Sequence, residues 1–158
     1  MSTDREAAVA ELVSIFGPPS QNGFGSAVFA DPAPGAILER AALVSYRRFV
    51  GELWDRYGER AWMGPWRRVY QREPGTAPAI VSELAGLEDP DARLSVPLLL
   101  DAGPDPTRAH PALAGVFDDP GVTVLEVFAI GDGAAMSGLV VAGQDRSGAS
   151  TCLIVLMD

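Results

Sequence analysis

Cys152 to Met157 is an unbroken apolar run, CLIVLM, at the end of the chain. A strand with no polar alternation is one covered on both faces, and left at a bare sheet edge it would template aggregation. This segment therefore demands neighbours on both edges and a packed layer above and below. Two apolar stretches precede it, Val122–Ile130 and Met136–Gly143. Each is rich in β-branched or large apolar residues and bounded by turn chemistry, the pattern of a strand. The connections, Gly131 to Ala135 and Gln144 to Gly148, are five residues each and contain glycine. That length closes a hairpin and is too short for a parallel crossover. Residues 122–157 are thus expected to form an antiparallel meander. In its first strand Thr123, Leu125, Val127 and Ala129 share one face, and Val122, Val124, Glu126, Phe128 and Ile130 the other. Only Glu126 is charged, so neither face is suited to open water.

The last strand still needs a partner on its outer side. Val96–Leu100 is the first candidate, since Pro97, lacking an N–H, suits an outer strand. Ser26–Ala30 is the second. Thr151, beside the hairpin, is expected to tolerate a charge.

Upstream, the pattern is helical. Ser2 or Thr3, with Glu6, can cap a helix ending at Gly17-Pro18-Pro19, with Ala8, Leu12, Ile15 and Phe16 on its apolar side. From Ile37 to Tyr57 the stripe Leu38, Ala42, Tyr46, Phe49, Leu53 and Tyr57 alternates spacings of three and four, predicting one long amphipathic helix. Arg48–Glu52 and Glu52–Arg56 would pair along it, and Gly58 would cap its end. Gly64-Pro65 is expected to open a helical turn through Tyr70. Thr76 caps a third helix to Leu87. Asp89-Pro90 signals a helix start, yet Val96–Leu100 has strand character; His110-Pro111 begins a turn of helix to Phe117. The expected architecture is a single α+β domain over residues 1–158. In it, N-terminal helices pack on a C-terminal antiparallel meander of three strands plus an extra edge strand. A chain of 158 residues buries roughly 70% of its unfolded surface and needs no covalent staples.

The chemistry-bearing residues are sparse. Cys152 is the only cysteine, which leaves no internal disulfide and no multi-cysteine zinc site. It lies in the most apolar strand, where a thiol's pKa rises, the opposite of an activated nucleophile. His110 is the only histidine. It precedes a proline in a loop and would find an orienting acid, Asp105 or Asp118, only through the fold, so it is read as solvated or capping. Asp101, Asp105, Asp118 and Asp119 match no calcium-loop spacing. Gly131-Asp132-Gly133 lacks the third glycine of a dinucleotide loop, that position being Met136, and a strand rather than a helix follows. No catalytic residue, metal ligand or cofactor is assigned. Asp4 and Glu6 stand where a secretory signal would be basic, and no apolar stretch approaches the ~18 residues of a membrane span. A cytoplasmic location and no membrane association are expected.

Charge is unevenly spread. The chain carries a net charge of −9, and all twelve of its basic residues are arginine. Residues 36–73 hold eight of those arginines against five acids, a local charge of +3. The same block holds seven of the twelve aromatics, Tyr46, Phe49, Trp54, Tyr57, Trp62, Trp66 and Tyr70. Arginine interleaved with aromatic side chains suits a binding hot spot, with Arg47, Arg48, Trp54, Trp62, Trp66, Arg67, Arg68 and Tyr70 as the candidate partner- or ligand-binding residues. The leading expectation is a non-catalytic interaction or regulatory protein, of the adaptor, inhibitor or immunity kind, with a protein partner. The alternative is a small-molecule-binding protein or enzyme with an apolar pocket between helices and a curved sheet, lined by Tyr46, Trp54, Trp62 and Glu126. Nucleic acid is not an expected partner, because a −9 chain repels a polyanion at long range. Titration with duplex DNA at physiological salt is therefore expected to give no measurable binding. A micromolar Kd that weakens steeply with added salt would report phosphate contacts and overturn this.

Overall fold

In the computed structural model, the residues described are 3–19, 25–31, 37–57, 66–101, 106–131 and 137–157. Along the chain lie α1 (Thr3–Phe16), β1 (Gly25–Asp31), α2 (Leu38–Val50), α3 (Glu52–Tyr57), β2 (Arg67–Gln71) and α4 (Ile80–Ala85). Then follow α5 (Pro90–Leu100), α6 (Pro106–Phe117), β3 (Val122–Gly131), β4 (Ser137–Asp145) and β5 (Ser150–Met157). The strands form one antiparallel sheet in the order β1-β5-β4-β3-β2. The meander is as expected, and the apolar run of β5 sits between β4 and β1.

Side-chain alternation sorts the sheet into two cores. On one face Leu125, Val127, Ala129, Leu139, Val141, Leu153 and Val155 pack with α1, α4, α5 and α6. On the other, Phe128, Ile130, Val140, Ala142, Cys152, Ile154 and Leu156 pack with α2 and α3. From Val124 to Ile130 the two faces read for β3 are the two observed, and each carries helices. A register shift between Val122 and Val124 puts Val122 beside Gly143 on the α6 side instead of with Val124. At Gly138 a side chain is impossible: an added Cβ would lie 2.2 Å from the Val155 carbonyl oxygen.

Several local expectations give way to tertiary contacts. The sheet has five strands, not four. Ser26–Ala30, the second candidate, lies in the strand beside β5. Val96–Leu100 is helical, within α5, because the Asp89 carboxylate caps that helix through the Ala92 N–H (3.0 Å) and Pro90 opens it. Its buried residues, Ala92, Ser95, Val96 and Leu99, repeat at helical spacing, and Pro97 faces solvent. Arg67–Gln71, expected as part of a helical turn, is an edge strand on β3, with a register shift between Arg68 and Tyr70. The long helix expected from Ile37 to Tyr57 breaks at Gly51, whose φ of 66° and ψ of −135° suit glycine alone. The break separates Arg48 from Glu52, and neither Arg48–Glu52 nor Glu52–Arg56 forms an ion pair among the described residues. Thr76 caps nothing; α4 begins at Ile80, where the distant Asp118 carboxylate accepts the Ile80 N–H at 2.9 Å. α6 starts at Pro106 and runs through Pro111, earlier than His110-Pro111 suggested. Gly58, Gly64-Pro65, Asp105 and the Asp132–Met136 loop lie outside the described residues, as do the side chains of Thr3, Leu53 and Tyr57. No helix among the described residues is long and apolar enough to cross a membrane.

Ile154 is fully buried and Val155 is 3% exposed, on opposite faces. An unpaired buried charge costs several kcal/mol, against a typical stability of about 5–15 kcal/mol. Ile154→Asp and Val155→Asp are both expected to leave the protein unfolded or insoluble in thermal melts. Thr151 is only 2% exposed and meets Arg5 Nη2 at 3.3 Å, so its expected tolerance does not hold. Thr151→Asp should melt between the parent and the other two, because Arg5 can pair with the new carboxylate. A parent-like melt for Val155→Asp would mean that one face of β5 is open to water.

Candidate partner-binding face

α2 has two stripes. Leu38, Ala42, Tyr46, Phe49 and Val50 are buried against the sheet. The outward stripe carries Ile37 at its N-cap, then Arg40, Ala41, Val44, Arg47 and Arg48. Ile37 is 68% exposed and Val44 56%, among the largest apolar exposures in the described residues. Between this stripe and β1 runs a cleft of about 170 Å³, lined by Phe29, Ala30, Ile37, Arg40, Val44 and Arg48 among others. Asp31 is the one acid on its wall among the described residues.

The arginines of this face contrast with those that bridge elements of the fold. Elsewhere Arg5 pairs with Asp145, Arg67 with Asp89 and Asp91, Arg68 with Glu126, Arg72 with Glu83 and Asp118, and Arg108 with Glu11. Arg40, Arg47 and Arg48 have no ion pair among the described residues. Arg47 lies over the Trp54 ring at 5.6 Å and Arg48 over Phe29 at 5.4 Å. Such contacts hold the guanidinium planes in place without neutralising them.

The candidate residues read from the sequence divide between the two sides of the sheet. Arg47, Arg48, Trp54, Trp66 and Arg68 belong to the α2 side. Trp54 is 8% exposed, and its ring meets Tyr46 edge-on at 6.0 Å. Trp66 stacks on Phe128 at 4.9 Å, lies 5.6 Å from Tyr46, and donates its indole N–H to Glu39 at 3.1 Å. Tyr46 is fully enclosed, and burial pushes its hydroxyl far above its ordinary pKa. These rings fill the space between α2 and the sheet. Glu126, 4% exposed, accepts a 2.7 Å hydrogen bond from Arg68. Arg67 and Tyr70 point to the opposite side, where Arg67 grips Asp89 through two hydrogen bonds of 2.8 and 3.0 Å and Tyr70 donates to Glu83. Trp62 lies outside the described residues. Ile37, Arg40, Val44 and the end of β1 are the part of the face that pattern reading missed. Their signal was a second, outward stripe on α2, with Ile37 and Val44 seven residues apart.

The other reactive side chains have structural tasks. His110 is exposed, with Nε2 3.0 Å from the Leu100 carbonyl oxygen at the end of α5, a capping contact. Cys152 is 1% exposed, and desolvation pushes its thiol up to about 12. Asp119 accepts the Gly121 N–H at 2.8 Å in the turn before β3. No group of three or more His, Cys, Asp or Glu side chains is placed to hold a metal ion among the described residues. Comparison with protein-family models, curated proteins and solved structures gave no match.

Arg72 ties β2 to two helices. It is 8% exposed, pairs with Glu83 of α4 and Asp118, and donates to the Phe117 carbonyl at 2.9 Å. Burial works to raise the Glu83 pKa, but hydrogen bonds from Arg72 and Tyr70 outweigh it and hold the carboxyl below its ordinary value. Asp89 is likewise held low, chiefly by its hydrogen bond from Arg67. A carboxylate depressed in the folded state stabilises above its unfolded pKa, and that stability is lost as pH falls through the folded value. Melting temperature is therefore expected to hold from neutral pH down to about pH 5 and to fall below about pH 4. Glu83→Gln should cost about 2 kcal/mol at neutral pH and show a shallower acid loss. An acid profile identical to the parent's would remove Glu83 from this role.

Proposed function

We propose that this is a non-catalytic binding protein of the cytoplasm whose α2 face docks an acidic partner protein. The observation that carries this reading is the gathering of Arg40, Arg47 and Arg48, unpaired, around exposed Ile37 and Val44 in a chain with a net charge of −9. Five other arginines of the same chain have found carboxylates, whereas these three stand together on one helix face beside exposed apolar side chains. Charge complementarity of this kind gives register and specificity, and exposed apolar side chains beside it supply area to bury. The excess negative charge elsewhere repels acidic proteins at long range. At contact, within the ~8 Å Debye length of physiological salt, the local arginines dominate. Only a partner that meets them directly gains.

The test starts with capture from the native cell, followed by binding measurements on the purified candidate. Arg40→Glu/Arg48→Glu is expected to weaken binding at least about tenfold, or 1.4 kcal/mol, with an unchanged melt, because both side chains are exposed. Val44→Ser should weaken it less. An acidic partner that binds the charge-reversed protein as well as the parent would sink the reading.

A further inference from the structure

The outward stripe of α2 ends against the outer edge of β1, and among the described residues that edge is open at Ala30. In a strand the backbone groups of alternate residues point to opposite edges. Val28 donates its N–H to the Gly17 carbonyl at 3.0 Å, away from β5. Ser26, Val28 and Ala30 therefore turn their backbone outward, while Ala27 and Phe29 turn theirs to β5. Gly17 closes the edge at Val28, helped by the Ser26 hydroxyl on the Phe16 carbonyl at 2.7 Å. Ala30, the next outward residue, is exposed, and among the described residues nothing pairs with its N–H or C=O.

Two clefts flank this residue, one on each side of the sheet. The α2-side cleft is the one of about 170 Å³ already described. The other, of about 310 Å³, is lined on the α1 side by Arg5, Glu6, Val9, Ala149 and Thr151. Ala30, Asp31 and Ser150 belong to both walls. An open backbone between two clefts is the geometry of strand addition, in which main-chain bonds hold a peptide and pockets read its alternate side chains.

We propose that the partner engages this protein through an extended segment that adds to the outer edge of β1 at Ala30, with an acidic–apolar–acidic core. This rests on the partner-binding reading above and specifies how the partner is held. Directly opposed residues in a sheet share a face. Ala30 shares the α1 side with Val28, so the peptide residue opposite it enters the α1-side cleft. There Val9 and Ala149 are apolar and Arg5 is already engaged by Asp145. An apolar side chain fits. Its two neighbours fall on the α2 side, where Arg40 and Arg48 have no carboxylate of their own. A second copy of this chain fits worse. Two antiparallel β1 edges are related by a dyad normal to the sheet, which would set Arg40 and Arg48 against their own copies.

Selection of a displayed library of random linear peptides against the parent, and against Ala30→Pro, tests this. Proline removes only the outward N–H and is accepted on an outer strand, so the variant should keep the parent's melt. The parent is expected to enrich acidic peptides with alternating apolar positions. Those peptides should bind Ala30→Pro at least about tenfold more weakly and slow hydrogen exchange at the Ala30 amide. Binding kept in Ala30→Pro but lost in Arg40→Glu/Arg48→Glu would overturn strand addition and leave the docking face standing. Peptides insensitive to both variants, or no enrichment, would overturn strand addition as well. Concentration-dependent dimerisation of the parent that Ala30→Pro abolishes would show the occupant to be a second copy, and the acidic foreign strand would be wrong.

Discussion

The strand β5 depends on being covered on four sides, and most of the architecture follows from that requirement. Its seven residues from Ser150 to Leu156 are all buried. Cys152, Ile154 and Leu156 face one helical layer while Leu153 and Val155 face the other. One layer of helices would leave half of that surface wet, at roughly 25 cal/mol for each Å² of apolar area. Two layers force the chain to place helices on both sides of the sheet, and α2 with α3 supply the second. Two edge neighbours are needed as well, and β4 and β1 supply them, while β2 pairs with β3 at the far edge of the sheet. The outer strands β1 and β2 are short, and each manages its edge differently. β2 carries paired arginines and a register shift. β1 is closed by Gly17 along part of its length and, among the described residues, open at Ala30.

Arginine does two kinds of work here. Arg5, Arg67, Arg68 and Arg72 each bridge elements distant in sequence through hydrogen-bonded carboxylates. Arg72 is nearly enclosed, so removing one of its acids would strand a desolvated charge, a far larger loss than breaking an exposed pair. Arg40, Arg47 and Arg48 form no ion pair among the described residues. Their removal should cost the fold little, so the proposed binding role is separable from stability within a single helix.

The meander, the two faces of β3 and the double coverage of β5 were legible because side-chain period and turn chemistry are local signals. The capping of α5 by Asp89 was legible for the same reason. What failed was decided elsewhere in the chain. Arg67–Gln71 is a strand because β3 offers it a ladder, and nothing within its own sequence says so. Val96–Leu100 has equal claims to strand and helix until Ala92, Ser95 and Leu99 are seen buried beside it. Gly51 was read through because one glycine inside a helical period usually bends to the pattern, whereas here φ is positive and α3 sets off anew. For the site, composition found the arginine-rich block but could not divide it between faces. Arg67 and Tyr70 turn to acids on α4 and α5, and the exposed stripe that remains is visible only once the sheet shows which side of α2 is inward.

That division also explains how the proposed binding face can coexist with the core beneath it. The aromatic residues that dominate α2's contribution to the core, Tyr46 and Phe49, are fully buried on the inward stripe. Trp54 and Trp66 are pinned by ring contacts on the same side. The outward stripe therefore carries little of the stability, and its side chains are free to be chosen for a partner. Only two of them touch the core: Arg47 rests on Trp54 and Arg48 on Phe29. Each contact is worth roughly 0.5–1 kcal/mol at an exposed site, small beside the burial under it. The arrangement fixes where the cations point before any partner arrives. For the proposed acidic segment, less side-chain entropy would then remain to be lost on binding.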